Sequence, residues 1–434
     1  MNDTDDSDLF KDRSFWGIVI TQFLGAFNDN LYKQLMLLMA IPGVGALIQG
    51  DRQGWATTVF SLPFVLLSNT AGYLADRYSK SQIITLCKIA EIAITLLAVT
   101  AFWFYGNTGD YGTWTVLVLM GTHSTFFGPS KYGILPELFR DKYLPLANAL
   151  ILMTTFLAII FGVVFAGIIK DLLVMTNADG SQDFSNLWIG ALACTVIAAV
   201  GTVTSTFIRR TPPAQPKAVF QNIDLFVSEP IRALLKRDKP LLLAIIASSL
   251  FWLVGGLVMP VVNRLGRSQL ELTSDTKTSI LTGGLAIGIM VGASATILFF
   301  KRLRPDRQVS LGVAIMLLAM GLLSIWKPGG DLLLSYNGAL TALIAMGIGA
   351  AVFVIPLQVF LQQRPPAELK GRLIATMNIA NFIGILLAGP IYQLFIAIAD
   401  SMHWPVSSVF AMMAALLLPI LLFYRFPVQD KTTT

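Results

Sequence analysis

Four groups of residues in this chain of 434 have types and spacings suited to chemistry. Asn28, Asp29 and Asn30 stand together in "QFLGAFNDNLYKQLMLLM", with Lys33 one helical turn further on. Lys88 and Glu91 are spaced i, i+3. His123 lies among Thr122, Ser124 and Thr125, and Lys131 sits in "FFGPSKYGILPEL". These groups make no nucleophile–base set, metal-ligand cluster or phosphate-cradling glycine loop, so covalent catalysis is not expected and an enzyme is the least favoured class. Acid, base and amide groups set in apolar stretches suit three tasks: structural ion pairs, reception of a charged ligand, or transfer of a proton.

The elements that position them are membrane helices. The composition is 55% hydrophobic with 13% charged residues, and mean hydropathy is +0.69. Soluble domains carry about 25% charged residues. A spanning helix needs about 20 mostly apolar residues, and twelve segments qualify: 15–42, 54–76, 82–105, 113–139, 144–170, 187–208, 240–263, 278–300, 308–326, 335–361, 372–399 and 403–425. Lipid cannot satisfy open strand edges, and these runs lack the alternation of a barrel, so all are read as helices. Residues 1–14 are acidic and unlike a signal peptide, and are read as a disordered cytoplasmic tail. Cys87 and Cys194 fall inside apolar spans, which argues against a disulfide framework. With both termini inside, cytoplasmic segments carry 22 of the 31 Lys and Arg, as the positive-inside rule requires. The net charge of +6 is therefore a topology signal and needs no nucleic acid.

The linker 209–239 divides the spans six and six: an N-terminal bundle 15–208, a C-terminal bundle 240–426 and a tail 427–434. The linker opens on "RRTPPAQPK", and its second part, "FQNIDLFVSEPIRALLKR", has the pattern of an interfacial amphipathic helix. A shift of 226 positions aligns the halves. Met120-Gly121 falls on Met346-Gly347, and "TFLAIIFG" from Thr155 on "NFIGILLA" from Asn381. Parallel six-span repeats are the pattern of the major facilitator architecture, with its site near the midplane between the halves. The loop "GYLADRYSKSQ", with Gly72, Asp76 and Arg77, resembles the cytoplasmic loop of that superfamily and is read as a gating brace. Gly284, Gly288 and Gly292 have small-xxx-small spacing, read as close packing or sliding.

A charge at the bilayer centre costs about 2.5–3.5 kcal/mol on insertion scales, so each should have a partner. Asp29 and Lys33, at i, i+4, can neutralise each other, as can Lys88 and Glu91. We read Lys88–Glu91 as structural, and Asp29, Lys33, Lys131, Asn28 and Asn30 as substrate contacts. Lys131 looks across helices or to a substrate, and Pro129 beside it loosens its helix. His123 is read as a satisfied interhelical hydrogen bond, with a proton relay as the other reading. The second half offers only neutral polar groups away from span ends, among them Asn378 and Asn381. Charge in one half and apolar surface in the other suits an amphiphile.

"LGAFNDNLYKQ", "GPSKYGILPEL", "SSLFW" and "IPLQVFLQQ" together resemble the lysophospholipid transporter branch of the major facilitator superfamily, over nearly the whole membrane part. The resemblance implies an all-α membrane protein of twelve helices in two pseudo-symmetric bundles, in the inner membrane of a bacterium. It implies movement of lysophospholipids, notably lysophosphatidylethanolamine, from the outer to the inner leaflet, where an acyltransferase and acyl-carrier-protein synthetase re-acylates them. The chain stops at Thr434 without such a domain, so that partner is expected to be a separate protein. By motif, the implied functional residues are Asp29 and Lys131, with Asp76 and Arg77 in the loop. Some relatives carry a base inside span seven, where this chain has none before Arg264. No cofactor is expected, and proton or sodium coupling through Asp29 stays open. A proton-coupled carrier of a small polar or drug-like solute is the first alternative, and a non-transporting scaffold or sensor the second.

Overall fold

Runs of apolar residues this long, with nowhere in lipid to place free N–H and C=O groups, close their hydrogen bonds within each segment. The computed structural model describes residues 7–41, 50–176, 182–216, 229–299, 303–366 and 369–423. Among these, twelve helices of 16 to 32 residues follow one another. They are α1 (Arg13–Met39), α2 (Gln53–Arg77), α3 (Lys80–Trp103), α4 (Tyr111–Gly133), α5 (Leu144–Leu173) and α6 (Leu187–Ser205). Then come α7 (Lys239–Ser268), α8 (Asp275–Leu298), α9 (Pro305–Leu323), α10 (Tyr336–Gln363), α11 (Lys370–Ser401) and α12 (Ser408–Phe423). A two-stranded hairpin, Met175–Thr176 with Gln182–Asp183, joins α5 to α6.

By length and composition, nine of the described helices can cross a membrane, and α12 is a shorter apolar helix. The two long helices outside the nine are α1 and α4. They hold the Asn28–Lys33 cluster and the His123–Lys131 segment, and those residues lower their hydropathy.

The chain forms two compact units, Met1–Asn222 with Leu272–Gly283, and Ile223–Glu271 with Gly284–Thr434. In the first, α1 packs on α5, α2 on α4, and α3 on α6 and α4. In the second, α7 packs on α11, and α9 on α12 and α10, while α8 meets α10 through its glycines. These are the same pairings advanced by six helices. The repeated glycine explains the shared Met-Gly: a Cβ on Gly121 would lie 2.3 Å from the Phe60 carbonyl oxygen, and one on Gly347 2.2 Å from that of Leu285. Each lets the fourth helix of its unit ride on a carbonyl of the second. Gly162 does the same against Phe27 of α1, and its counterpart Ala388 abuts Gly256 of α7. Gly288 and Gly292 meet the carbonyls of Ile344 and Ile348, which is the close-packing reading of that stripe.

Three boundaries differ from the sequence reading. Within the expected disordered tail, Ser7–Lys11 is a helical turn that buries Leu9. Trp16 donates to the Phe10 carbonyl at 2.8 Å, and Asp12 caps α1 by accepting from the Ser14 N–H at 2.7 Å. Apolar residues between the acidic ones supply the anchor that net charge alone hides. Leu272–Gly283, expected to go with the C-terminal half, joins the first unit because the start of α8 is tied to α5. Of the amphipathic helix expected in the linker, Glu229–Arg237 is helical, while 217–228 and the tail 427–434 lie outside the described residues.

Candidate functional site

The polar residues of the first unit sort into a fully buried cluster and a half-buried pair. The buried cluster is built on α3. Lys88 and Glu91 form an ion pair, and neither side chain is exposed at all. Asn28 of α1 donates to Glu91 Oε1 at 2.8 Å and to the Cys194 carbonyl at 3.0 Å. His123 of α4 brings Nε2 within 3.5 Å of Glu91 Oε2, and its ring stacks on Phe127 at 6.2 Å between centroids. Its ring nitrogens make no close hydrogen bond among the described residues, and the polar contacts they have, to Glu91 and to the Cys87 backbone, both cross from α4 to α3. The close Cβ environments of Gly25 and Gly201 let Lys88 thread between α1 and α6. This cluster locks α1, α3, α4 and α6 together, and Asn28 belongs to it.

Asp29, the next residue round α1, is half-buried and faces α4, where the Ser124 hydroxyl donates to it. Its Oδ1 has no hydrogen-bond partner among the described residues. Lys131, also half-buried, makes a long 3.5 Å contact with Gln22 Oε1, lies 4.7 Å from the centre of the Tyr132 ring and is near enough to Asp29 for the two charges to interact. Gln22 is itself fixed: Thr155 donates to its Oε1 at 2.8 Å, and its amide donates to Thr154 Oγ1 at 2.6 Å. Pro129 lies within α4, which ends four residues later at Gly133.

The expected pairing of Asp29 with Lys33 is not formed. Lys33 Nζ lies over the Phe60 ring, 5.2 Å from its centroid. Helical i, i+4 spacing permits an ion pair, but the neighbouring α2 offers the ammonium a π-face and α4 offers Asp29 a hydroxyl. Asn30 turns back on its own helix, donating to the Ala26 carbonyl at 2.8 Å.

At the end of this unit where α1 begins, Asp76 and Arg77 are exposed. Arg77 lies by the Tyr73 and Tyr78 rings and donates to the Tyr73 hydroxyl, while the Asp76 carbonyl accepts from the Gln215 N–H at 2.8 Å. A Cβ on Gly72 would meet nothing within 4 Å. Helix ends are braced here by other residues. Lys80 of α3 pairs with Glu137 after α4 at 2.5 Å, and Arg209 reaches the Leu138 carbonyl and Asp12.

The opposite end holds two residues that the sequence reading passed over. Lys170 is 1% exposed; it donates to the Leu38 carbonyl at 2.9 Å and pairs with Asp275 at 3.0 Å. Asp171 accepts from the N–H groups of Asp275 and Thr276 at 2.7 and 2.9 Å. A cation thus meets the C-terminal end of α1, and an anion the N-terminal end of α8, each matching the local helix dipole. Assigning charges to span ends conceals this, although the adjacent Lys-Asp pair before a Ser-Asp-Thr helix start was a usable signal.

In the second unit, Asn381 accepts from the Ser248 hydroxyl at 2.9 Å, joining α11 to α7, and Asn378 is exposed. Arg264 is 6% exposed and contacts Asp400 at 3.5 Å, within a helix that continues to Ser268 rather than ending at 263.

Comparison with known proteins agrees with this architecture. The chain is 27% identical over 400 residues to a lysophospholipid transporter LplT of Pectobacterium carotovorum, covering 90% of this chain and 88% of that protein. It is 25% identical over 389 residues to the LplT of Escherichia coli K12, covering 88% of each. Among solved structures, an auto-inhibited POT family peptide transporter matches with TM-score 0.70 at 13% identity, covering 97% of this chain and 99% of that one. The xylose transporter XylE from E. coli, in an inward-open conformation, matches with TM-score 0.67 at 12% identity, covering 96% and 97%. At such identities the structural likeness shows the fold alone. The family profile described as Major Facilitator Superfamily matches residues 18–389, and the chain belongs to that superfamily as a multi-pass membrane transporter rather than an enzyme.

Proposed function

We propose that this transporter moves lysophospholipids of the lysophosphatidylethanolamine kind from the outer to the inner leaflet of a bacterial inner membrane by alternating access. In this reading, both termini are cytoplasmic, two six-helix bundles (15–208 and 240–426) flank the linker 209–239, and a separate re-acylating enzyme consumes the delivered lipid. Consumption on one side maintains a gradient, so flipping needs no coupling ion.

The observation that carries the proposal is the unlike treatment of charge within one unit. Lys88 and Glu91 neutralise each other out of reach, whereas Asp29 and Lys131, near enough for their charges to interact, form no ion pair among the described residues and retain bonding capacity. A zwitterionic head group supplies what each lacks, an ammonium for Asp29 and a phosphate for Lys131. Lys33 over Phe60 adds positive potential beside them. The names of the relatives support the same substrate class.

The test is uptake of labelled lysophosphatidylethanolamine into proteoliposomes by the wild type, Asp29→Asn and Lys131→Ala, at two pH values and with or without sodium. Both substitutions are expected to lower uptake at least tenfold while leaving the elution profile of the purified protein unchanged. Full uptake by both variants would remove the site. No uptake by folded wild type would remove the substrate and favour the proton-coupled carrier of a small solute. Wild-type uptake that follows an imposed proton gradient would assign Asp29 a coupling role as well.

A further inference from the structure

A second groove lies on the first unit, and neither Asp29 nor Lys131 lines it. A groove of about 900 Å³ runs between α3, α4 and the end of α6, within the usual range for small-molecule sites of about 300–1,000 Å³. Its wall follows α3 from Gln82 to Ile94, a rise of twelve residues. At 1.5 Å per residue this is roughly 18 Å, slightly more than one leaflet of a hydrocarbon core about 30 Å thick.

The groove is most polar at one end and mainly apolar along its depth. Its mouth carries Tyr78, Gln82, Thr206 and Arg210, while Leu86, Ala90, Ile94, Leu119 and Phe126 line the interior, with Thr85, Thr122 and His123 among them. Among the described residues, no acidic side chain lines it. The two neighbouring arginines are used differently. Arg209 is tied to the Leu138 carbonyl and Asp12, whereas Arg210 is exposed and makes no ion pair among the described residues. One unneutralised guanidinium above an apolar channel one leaflet deep fits a single amphiphile: a phosphate at the mouth and an acyl chain below it. Basic pockets between helices at a membrane face recognise anionic lipid head groups in this way.

We propose that this groove holds one anionic glycerophospholipid, its phosphate on Arg210 and one acyl chain along α3. Which leaflet supplies it follows from the orientation proposed above and is the cytoplasmic one. Binding itself does not depend on the transport reading, because none of Asp29, Lys33 and Lys131 lines the groove.

The experiment is native mass spectrometry of the delipidated full chain in detergent, titrated with phosphatidylglycerol and, separately, with phosphatidylethanolamine. The variants are Arg210→Ala, Arg210→Lys, Ala90→Trp and, as a control cation elsewhere, Arg232→Ala. Wild type is expected to retain one phosphatidylglycerol at least fivefold more tightly than phosphatidylethanolamine. Arg210→Ala and the groove-filling Ala90→Trp are each expected to lose that preference, while Arg210→Lys keeps most of it and Arg232→Ala all of it. Arg210 and Ala90 are both exposed, so the variants fold. Equal retention of the two lipids by wild type, or unchanged retention by Arg210→Ala and Ala90→Trp, overturns the proposal. Loss of uptake in Asp29→Asn leaves it untouched.

Discussion

The two units reach one pattern of helix pairing with different interiors. In the first, α1, α3, α4 and α6 converge on Lys88, Glu91, Asn28 and His123. In the second, α9 meets α10 through Gly312, against the Gly349 carbonyl and the Phe353 backbone, and α7 is joined to α11 by Ala388 on Gly256, by neutral bonds from Ser248 to Asn381 and from Ser249 to the Ala380 carbonyl, and near one end by Arg264 with Asp400. Moving each charged position of the first unit by 226 makes the contrast specific. Asp29 becomes Gly255, Lys33 becomes Met259, Lys88 becomes Ala314, Glu91 becomes Leu317, His123 becomes Gly349 and Lys131 becomes Leu357. The second unit folds without any of them. The fold therefore does not require these charges, and their cost in the first unit calls for another reason.

The largest effect that sharpens this contrast is on transport. Asp29→Asn or Lys131→Ala should reduce lysophosphatidylethanolamine uptake at least tenfold. At the matched position of the other unit, Gly255→Ala has open space for its methyl group and should stay within twofold of wild type. A comparable loss in Gly255→Ala would break the comparison. Next in size is the stability of the buried cluster. Lys88→Leu leaves Glu91 buried without its cation and should cost about 3–5 kcal/mol, whereas Lys88→Leu with Glu91→Leu should recover most of that. Thermal unfolding in detergent separates the two outcomes, and a double variant as unstable as the single one would show that the fold does need the pair.

Smaller effects test what the units share. Gly121→Leu and Gly347→Leu should each lower the melting temperature by a similar amount, corresponding to about 1–3 kcal/mol of overpacking. Gly72→Ala, with empty space around it, should not shift it. A tolerant Gly347 beside an intolerant Gly121 would mean that the repeat is one of sequence without common packing. The smallest expected change is Ser248→Ala, at about 0.6 kcal/mol for an interhelical hydrogen bond in a membrane protein; a loss as large as that of Lys88→Leu would place a hidden polar network in the second unit.

Much of this was legible in the sequence because hydropathy and spacing are local properties. The twelve helices, the Lys88–Glu91 pair and the repeated Met-Gly all follow from one-dimensional patterns. Helix rotation does not. Asn28 and Asp29 are adjacent, yet about 100° of turn sends one to Glu91 and the other to Ser124. The Asp29–Lys33 pairing failed for the same reason, since neighbours on other helices decide which of several permitted partners a side chain takes. Lys170 and Arg264 were hidden by a different assumption, that charges mark the ends of spans. Both are buried, at 1% and 6% exposure, with acids supplied by other helices.

The modest hydropathy of α1 has a consequence for biogenesis. This helix is made before the others of its unit, and the partners of its Asn28 amide and Asp29 carboxylate come later: Ser124 lies 95 residues downstream of Asp29, and Cys194 lies 166 downstream of Asn28. At roughly 5–20 residues per second of synthesis, the longer interval is on the order of ten to thirty seconds. For that time α1 carries an acid, a base and the Asn28 amide without their partners. Nascent α1 is therefore expected to stay sheltered at the insertion machinery until α3, α4 and α6 arrive.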